Sequence, residues 1–307
     1  ICDAQGNLLA AVAVPRLAGG RLPGVNPIRR QVLHEILQAS VTRAGVPLRM
    51  GTSVHRIDDR GDRVEVGFTD GTSGRYDLVV GADGIRSVVR ALAFGAVEPI
   101  YTGYANWRVL MPRPQWCERP TWYMGLGRSF GVVPLCAEYC YYAGVSKEPG
   151  SPRYEKSQLL TLMRARFAGF GGPIPALLAA VREEDGVYYN PIEEVLLPLP
   201  WARGRVVLVG DAAHASSPFW AQGASMAIED VVVLAELLVR HATPEAVFAE
   251  WHARRHPRCL FVQQGSLETG KRSHDESPGA LERIHAYIKT RAAPDTAARY
   301  ARLAEPI

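Results

Sequence analysis

Residues 205–238 read RVVLVGDAAHASSPFWAQGASMAIEDVVVLAELL. Val206 to Val209 is an apolar, β-branched run with no polar alternation, the pattern of a strand buried on both faces of a parallel sheet. It stops at Gly210-Asp211 and gives way to a loop rich in Ala, Ser and Pro. From Gln222 onward apolar residues return at helical spacing, at Met226, Ile228, Val231, Leu234, Ala235 and Leu238. Strand, acidic loop and helix in this order predict an α/β, doubly wound fold, in which ligands collect beyond the carboxyl ends of the strands. Asp211 then stands where a carboxylate accepts hydrogen bonds from ribose or polyol hydroxyls. Gly223, without a Cβ, lets a flat ring approach the mouth of the helix, whose free N–H groups stabilise negative charge on it. A strand capped by Gly-Asp and a helix started by a polar loop also occur in doubly wound proteins without such a ligand, and spacing alone leaves both readings open.

The segment GDAAHASSPFWAQGASMAIED resembles the second FAD-binding motif of the FAD-dependent aromatic hydroxylases related to para-hydroxybenzoate hydroxylase. That motif runs Gly-Asp-Ala-Ala-His, a Pro, then Gly-Gln-Gly and Glu-Asp. Ala221 replaces the first Gly of the Gly-Gln-Gly. The resemblance implies that Asp211 binds the ribityl chain, that Gly223 and Ala224 offer N–H groups to the pyrimidine edge, and that Pro218 borders the ring. His214 ends the Ala-Ala-His of the flavin loop; it either fixes that loop by hydrogen bonding or acts directly in catalysis. GADGIRSVVR resembles the family's Asp-Gly motif, with Asp83 and Gly84 associated with FAD and the nicotinamide nucleotide; alone it reads as a turn and a helix cap. Arg30, three residues before Leu33 and seven before Leu37, resembles the family's Arg-x-x-Leu-x-x-x-Leu contact to FAD, with Arg29 competing for the role. Val54, after Gly-Thr-Ser, resembles the position whose main chain lies against adenine.

Composition narrows the alternatives. The chain has 307 residues, 47% of them hydrophobic, and a net charge of +4 with basic and acidic residues interspersed, which argues against a nucleic-acid surface and for a large packed core. The longest apolar run is far short of a membrane span and no signal peptide is visible, so a cytoplasmic protein is expected. The five cysteines have no paired spacing and read as reduced thiols. His252 and His256 stand at i and i+4, but the sequence between them is Ala-Arg-Arg; cationic neighbours oppose a metal, and none is expected.

In chain order, residues 1–14 predict a hairpin about Gly6, and a helix starts at Asn26-Pro27. Short strands follow at 46–49, 53–58 and 63–68, then a buried strand at 76–80. From Phe94 to about Val195 the texture changes to alternating segments rich in Tyr and Trp, among them TGYANWRVLM, TWYMGL, SFGVVPL and EYCYYAGV, which predict an inserted antiparallel sheet. GLGRSFG approximates a dinucleotide fingerprint, but its spacing is off by one and strands flank it, so it reads as a hairpin turn. Helices are expected at 154–167, 175–181, 244–259, 280–290 and 296–304. The domain division expected is 1–93 and 196–267 for a FAD-binding domain, 94–195 for a substrate domain, and 268–307 for C-terminal helices.

The family's opening strand, Gly-x-Gly-x-x-Gly turn and helix are not supplied by any segment, so the FAD-binding domain is expected to be partial, its first βαβ absent, as in a truncated or split chain. By resemblance the intact protein is a monooxygenase that hydroxylates a small aromatic or heteroaromatic ring with NADH or NADPH and O2, the oxygen being delivered from a flavin C4a-hydroperoxide. Other FAD-dependent chemistry (reductase, halogenase or epoxidase) and a non-catalytic remnant are the alternatives, and a homodimer is one option for its assembly. Several phenol-hydroxylating relatives carry a His and, four residues later, a Tyr before a Pro-Leu pair. The matching slots here hold Ser129 and Val133, neither of which is a base near neutral pH.

Overall fold

The structure, a computed structural model, describes residues 1–16 and 20–307. Contacts divide the chain into two compact units, one formed by 1–46, 103–192 and 271–306, the other by 47–102, 193–270 and 307. These boundaries differ from those expected from sequence texture, chiefly because residues 1–46 group with the unit of the six-stranded sheet, where Cys2–Asp3 adds a parallel strand beside Tyr123 and Met124.

The sheet of the first unit is the aromatic, alternating region. Its strands lie in the order Cys2–Asp3, Thr121–Gly125, Arg128–Pro134, Tyr139–Lys147, Ile100–Pro112 and Tyr188–Glu194. GLGRSFG is a hairpin: Gly125 pairs with Arg128 across Leu126-Gly127, and Gly127 takes φ +67°. One face of the sheet packs Trp107, Phe130 and Tyr142 against Met163, Phe167, Ile174 and Leu178 of the helices Leu159–Phe167 and Ile174–Ala180. The expected N-terminal hairpin keeps its turn, where Asp3 Oδ1 accepts from Gln5 N and Asn7 N at 2.9 Å each. Its second strand is reduced to a bridge between Leu8 and Cys2, because Cys2 and Asp3 pair with the neighbouring sheet edge instead. The helix predicted from Asn26 is Arg30–Arg43; Arg29, extended at ψ 131°, delays its start. The C-terminal helices are Ala280–Thr290, as expected, and Ala292–Leu303, which begins earlier than expected.

The second unit holds the motif strands. Val206–Leu208 and Val79–Gly81 pair in parallel with Val206 opposite Val79 and Leu208 opposite Gly81, so both motifs leave the same sheet at the same end, the doubly wound arrangement. A separate antiparallel sheet joins Val54–Asp59, Val64–Phe68 and Ser73–Tyr76. The single strand expected at 76–80 is therefore two: Tyr76 ends one sheet and Val79 begins the other, with Arg205 Nη1 donating to the intervening Asp77 carbonyl at 2.9 Å. No strand forms at 46–49. The helix expected to end at Cys259 runs from Pro244 to Ser273, through Pro257. An internal proline removes a hydrogen bond and costs about 3 kcal/mol. Burial of Cys259, Val262, Gln263, Ser266 and Gly270 beyond it offsets that loss. Among the described residues, no helix is long and apolar enough to cross a membrane.

Candidate functional site

Two loops leave the parallel strands side by side. Val209 N donates to Gly81 O at 3.0 Å, extending the pairing by one residue before the chains diverge. Gly210 then takes φ +57°, and a Cβ there would meet the Ala227 Cβ at 2.9 Å, so both conformation and space demand glycine. Asp211 opens the short helix Asp211–His214. Its side chain is exposed and has no hydrogen-bond or ion-pair partner among the described residues. Asp83, on the companion loop, is committed differently. Its Oδ1 accepts from the Ser87 hydroxyl and its Oδ2 from Val89 N at 3.0 Å, while Ser87 Oγ caps Arg90 N. Asp83-Gly84 is thus a turn and a helix cap, with Gly84 at φ +83° and nothing within reach of a Cβ. The two loops are tied by Arg90, whose buried guanidinium donates to Ala212 O at 2.9 Å, Ile85 O at 2.7 Å and Val97 O at 3.0 Å.

Beneath the Asp211 loop lies a buried charged network. His214 Nε2 and Asp230 Oδ2 are 2.6 Å apart, and the same Oδ2 accepts from Gly210 N at 2.8 Å. Asp230 Oδ1 accepts from Arg255 Nε at 2.8 Å, and Arg255 Nη1 donates to Glu229, which also receives Arg258. Burial works against the charged imidazole, but the hydrogen bonds to Asp230 and Cys259 outweigh it and hold the His214 pKa above its ordinary value. Burial likewise opposes ionisation of Asp230, yet His214 and Arg255 keep its carboxyl below the usual carboxylate range. A buried imidazole engaged this way supports the loop through its Nε2. The ligand atoms of His214, Asp230 and Cys259 also lie close enough to hold a metal ion. Arg255 already supplies the positive charge there, so the cluster is an ion-pair network. Nor do His252 and His256 pair as ligands: His252 Nε2 accepts from Trp201 N at 3.0 Å, and the His256 ring meets the Trp201 edge.

The following segment is pinned to the Pro244–Ser273 helix. Ser217 N donates to Glu194 Oε1 at 2.8 Å, Ser266 Oγ donates to Ser217 O at 2.6 Å, and Trp220 Nε1 donates to Thr269 Oγ1 at 2.8 Å. Two helix glycines make room for aromatic rings: a Cβ on Gly265 would fall within the Trp220 indole, and one on Gly270 within the Phe219 ring. Pro218 stays exposed at the start of the turn Pro218–Trp220. Ala221 ends that turn at φ +53°, ψ +37°, which explains why the family motif has glycine there: an L-residue pays about 1–2 kcal/mol in this left-handed region. Ala221→Gly is expected to stabilise the fold by about 1 kcal/mol, raising the thermal midpoint by about 2–4 °C; an unchanged or lower midpoint in calorimetry would contradict the strain.

Past Ala221 the Gly223–Arg240 helix begins. No side chain caps it, and its first internal bond runs from Met226 N to Gln222 O, so the N–H groups of Gly223 and Ala224 point outward unsatisfied by helix or cap. Gly223 has no internal need to be glycine: a Cβ there would meet only Ser216 Oγ, at 3.6 Å. The free carboxylate of Asp211, the uncapped helix start and a glycine with open space before it fit a flat ring with a carbonyl edge and a polyol tail.

Asp211, His214, Pro218, Gly223 and Ala224 are thus brought together on one loop and helix, with Asp83 and Gly84 on its neighbour. Val54 opens the separate antiparallel sheet of the same unit. Arg30 is exposed at the first position of its helix in the other unit. Sequence reasoning missed His274. It is buried on the sheet of the first unit with Nε2 2.9 Å from Ser129 Oγ and its ring 5.4 Å from that of Tyr104. A histidine does occupy the neighbourhood of the Ser129 slot, but it arrives from 145 positions along the chain, where no local pattern announces it.

A profile described as the FAD binding domain matches residues 197–265, from before the Val206–Leu208 strand into the Pro244–Ser273 helix. The Bacillus subtilis (strain 168) protein YetM, which carries the name FAD-dependent monooxygenase, is 36% identical over 286 residues, covering 92% of this chain and 77% of YetM. The chain belongs to the FAD-dependent monooxygenases. This monooxygenase is also 33% identical to the 2-heptyl-3-hydroxy-4(1H)-quinolone synthase of Pseudomonas aeruginosa over 276 residues, 88% of this chain and 70% of that one. The solved structure of Klebsiella pneumoniae HpxO with FAD and uric acid superposes with a TM-score of 0.82 at 25% identity, over 91% of this chain and 72% of that one. FAD is its cofactor, and the geometry of the Asp211 loop fits that cofactor.

Proposed function

We propose that this monooxygenase hydroxylates a small aromatic or heteroaromatic ring, consuming O2 and either NADH or NADPH, in the cytoplasm. The observation that carries this is the Asp211 carboxylate, without a partner among the described residues, on the loop that leads to the uncapped Gly223–Arg240 helix start. Quinolone and uric acid, named for two of the relatives above, are ring compounds with nitrogen in the ring, which supports the substrate class.

The protein's share divides among its residues. Asp211 accepts hydrogen bonds from the ribityl hydroxyls, the N–H groups of Gly223 and Ala224 hold the pyrimidine edge, and Pro218 borders the ring. Asp83 and Gly84 form the companion turn, Arg30 is a contact to FAD, and the main chain of Val54 lies against adenine. His214 keeps the loop in shape from below. The bound cofactor supplies the redox chemistry that activates O2, and the surrounding side chains exclude water and orient the ring to be hydroxylated.

Asp211→Ala removes hydrogen bonds to a charged acceptor, worth about 1.5–3 kcal/mol each. The variant is expected to hold FAD at least tenfold more weakly and to emerge from purification pale, read as the ratio of flavin to protein absorbance. Full flavin content in that variant would sink the assignment.

A further inference from the structure

Two consecutive glutamates end the strand Tyr188–Glu194, and the structure treats them in opposite ways. Glu193 lies nearer the surface and is paired, its Oε2 accepting from Arg86 Nη2 at 2.6 Å. Glu194 is 8% exposed, and no arginine, lysine or histidine pairs with it among the described residues. Its one donor among them is a main-chain group, Ser217 N, at 2.8 Å from Oε1. A paired charge near the surface and an unpaired one in the interior reverse the usual arrangement, because a carboxylate taken out of water ordinarily needs a cation.

The residues that flank it do not make up the difference. Gln263 Nε2 donates to the carbonyls of Val195, at 2.8 Å, and Ala215, at 2.9 Å, and its Oε1 is left buried without a hydrogen-bond partner. The serine hydroxyls are committed elsewhere: Ser217 Oγ donates to Ser266 Oγ at 3.1 Å, and Ser266 Oγ to Ser217 O at 2.6 Å. Arg255 and His214, buried in the same unit, serve Asp230 and Glu229. Departures of this kind from good pairing collect at functional sites.

We propose that Glu194 is a positioning residue that also sets the electron affinity of the bound FAD: it holds the Ser217–Trp220 segment and places a fixed negative charge behind the border of the ring. The inference rests on the site reading proposed above, in which Pro218, the residue after Ser217, borders the ring. In reduction the ring takes a hydride, two electrons and one proton, from the reduced nicotinamide, which leaves as its oxidised cation. The ring thereby gains negative charge. The N–H groups of Gly223 and Ala224 favour that charge at the pyrimidine edge, and a carboxylate in a low-dielectric interior opposes it from the Pro218 side. Glu194 thus makes the ring a poorer acceptor from the nicotinamide and a better donor to O2, favouring the step in which O2 is consumed.

The test measures the midpoint potential of FAD bound to the full chain, by equilibration with a redox dye of known potential. Glutamine keeps an oxygen for Ser217 N and removes only the charge, so it separates the electrostatic role from the structural one. Glu194→Gln should raise the equilibrium constant for two-electron reduction of the bound FAD at least tenfold, a rise of about 30 mV, with the ratio of flavin to protein unchanged. Glu194→Asp keeps the charge but draws it back by one carbon, so its potential should lie between the two. The aspartate variant decides the matter if the glutamine variant does not fold. A potential unshifted or lowered in either variant would overturn the role of Glu194 alone. Wild-type protein that takes up no FAD would overturn the ring placement and this inference together.

Discussion

Asp230→Asn should lower the free energy of unfolding by about 3–5 kcal/mol, the cost of leaving buried charges without their partner. The substitution keeps the shape of the side chain and removes its charge, so His214 and Arg255 lose the carboxylate that compensates them, and one acceptor oxygen is left where two served His214, Gly210 N and Arg255. The pH dependence carries the signature. Asp230 has a depressed pKa, so its contribution is present above the unfolded value near 3.9 and is lost as pH falls through the folded value. His214 has a raised pKa, so its contribution is complete below the unfolded value near 6.5 and is lost as pH rises through the folded value. The gap between wild type and Asp230→Asn in urea denaturation should therefore be widest between those limits and narrow on both sides. A gap of under 1 kcal/mol near pH 6, or one independent of pH, would show that the network is not the support described.

The second large effect concerns Gly265. Alanine in a helix is ordinarily better than glycine by about 1 kcal/mol, yet Gly265→Ala should destabilise by about 2–3 kcal/mol, because the new methyl group takes the place of the Trp220 indole. Displacing the ring also breaks its bond to Thr269 and its edge contact with Phe261, 5.1 Å between centres. A double-mutant cycle isolates the cause. On a Trp220→Ala background the collision is gone, and Gly265→Ala should become neutral or stabilising by about 1 kcal/mol. If the two substitutions add without coupling, the ring does not depend on that glycine.

What the sequence made legible follows the range of the interactions involved. The strand, loop and helix of 205–240 lie within one contiguous stretch, so periodicity and the motif together placed Asp211, Gly223 and Ala224. GLGRSFG was separable from a fingerprint because a hairpin is also local. The end of the long helix was not legible, since Pro257 is a strong local stop signal that burial of residues far along the helix overrides. The division of 76–80 between two sheets was hidden for the same reason: one short apolar run does not reveal that Asp77 is held by Arg205. Among the aromatics, Trp107 and Tyr123 are core while Trp122 belongs to the other face, a parity fixed by register and not by residue type. His274 and the orphaned end of Gln263 were beyond reach, because only the three-dimensional neighbourhood defines them.

Arg90 has a further consequence. A single side chain donates to carbonyls at Ile85, Val97 and Ala212, the last of them 122 positions away and buried, so that release of Arg90 would leave at least the Ala212 carbonyl without its partner. A clamp of that kind has no partly open state of low energy. The Asp83 turn and the Asp211 loop must therefore loosen together or stay closed together, as one cooperative opening event. Any partner of either loop gains or loses its grip on both at once, and sequence drift in the Val88–Phe94 helix is limited by a loop it never borders in the chain.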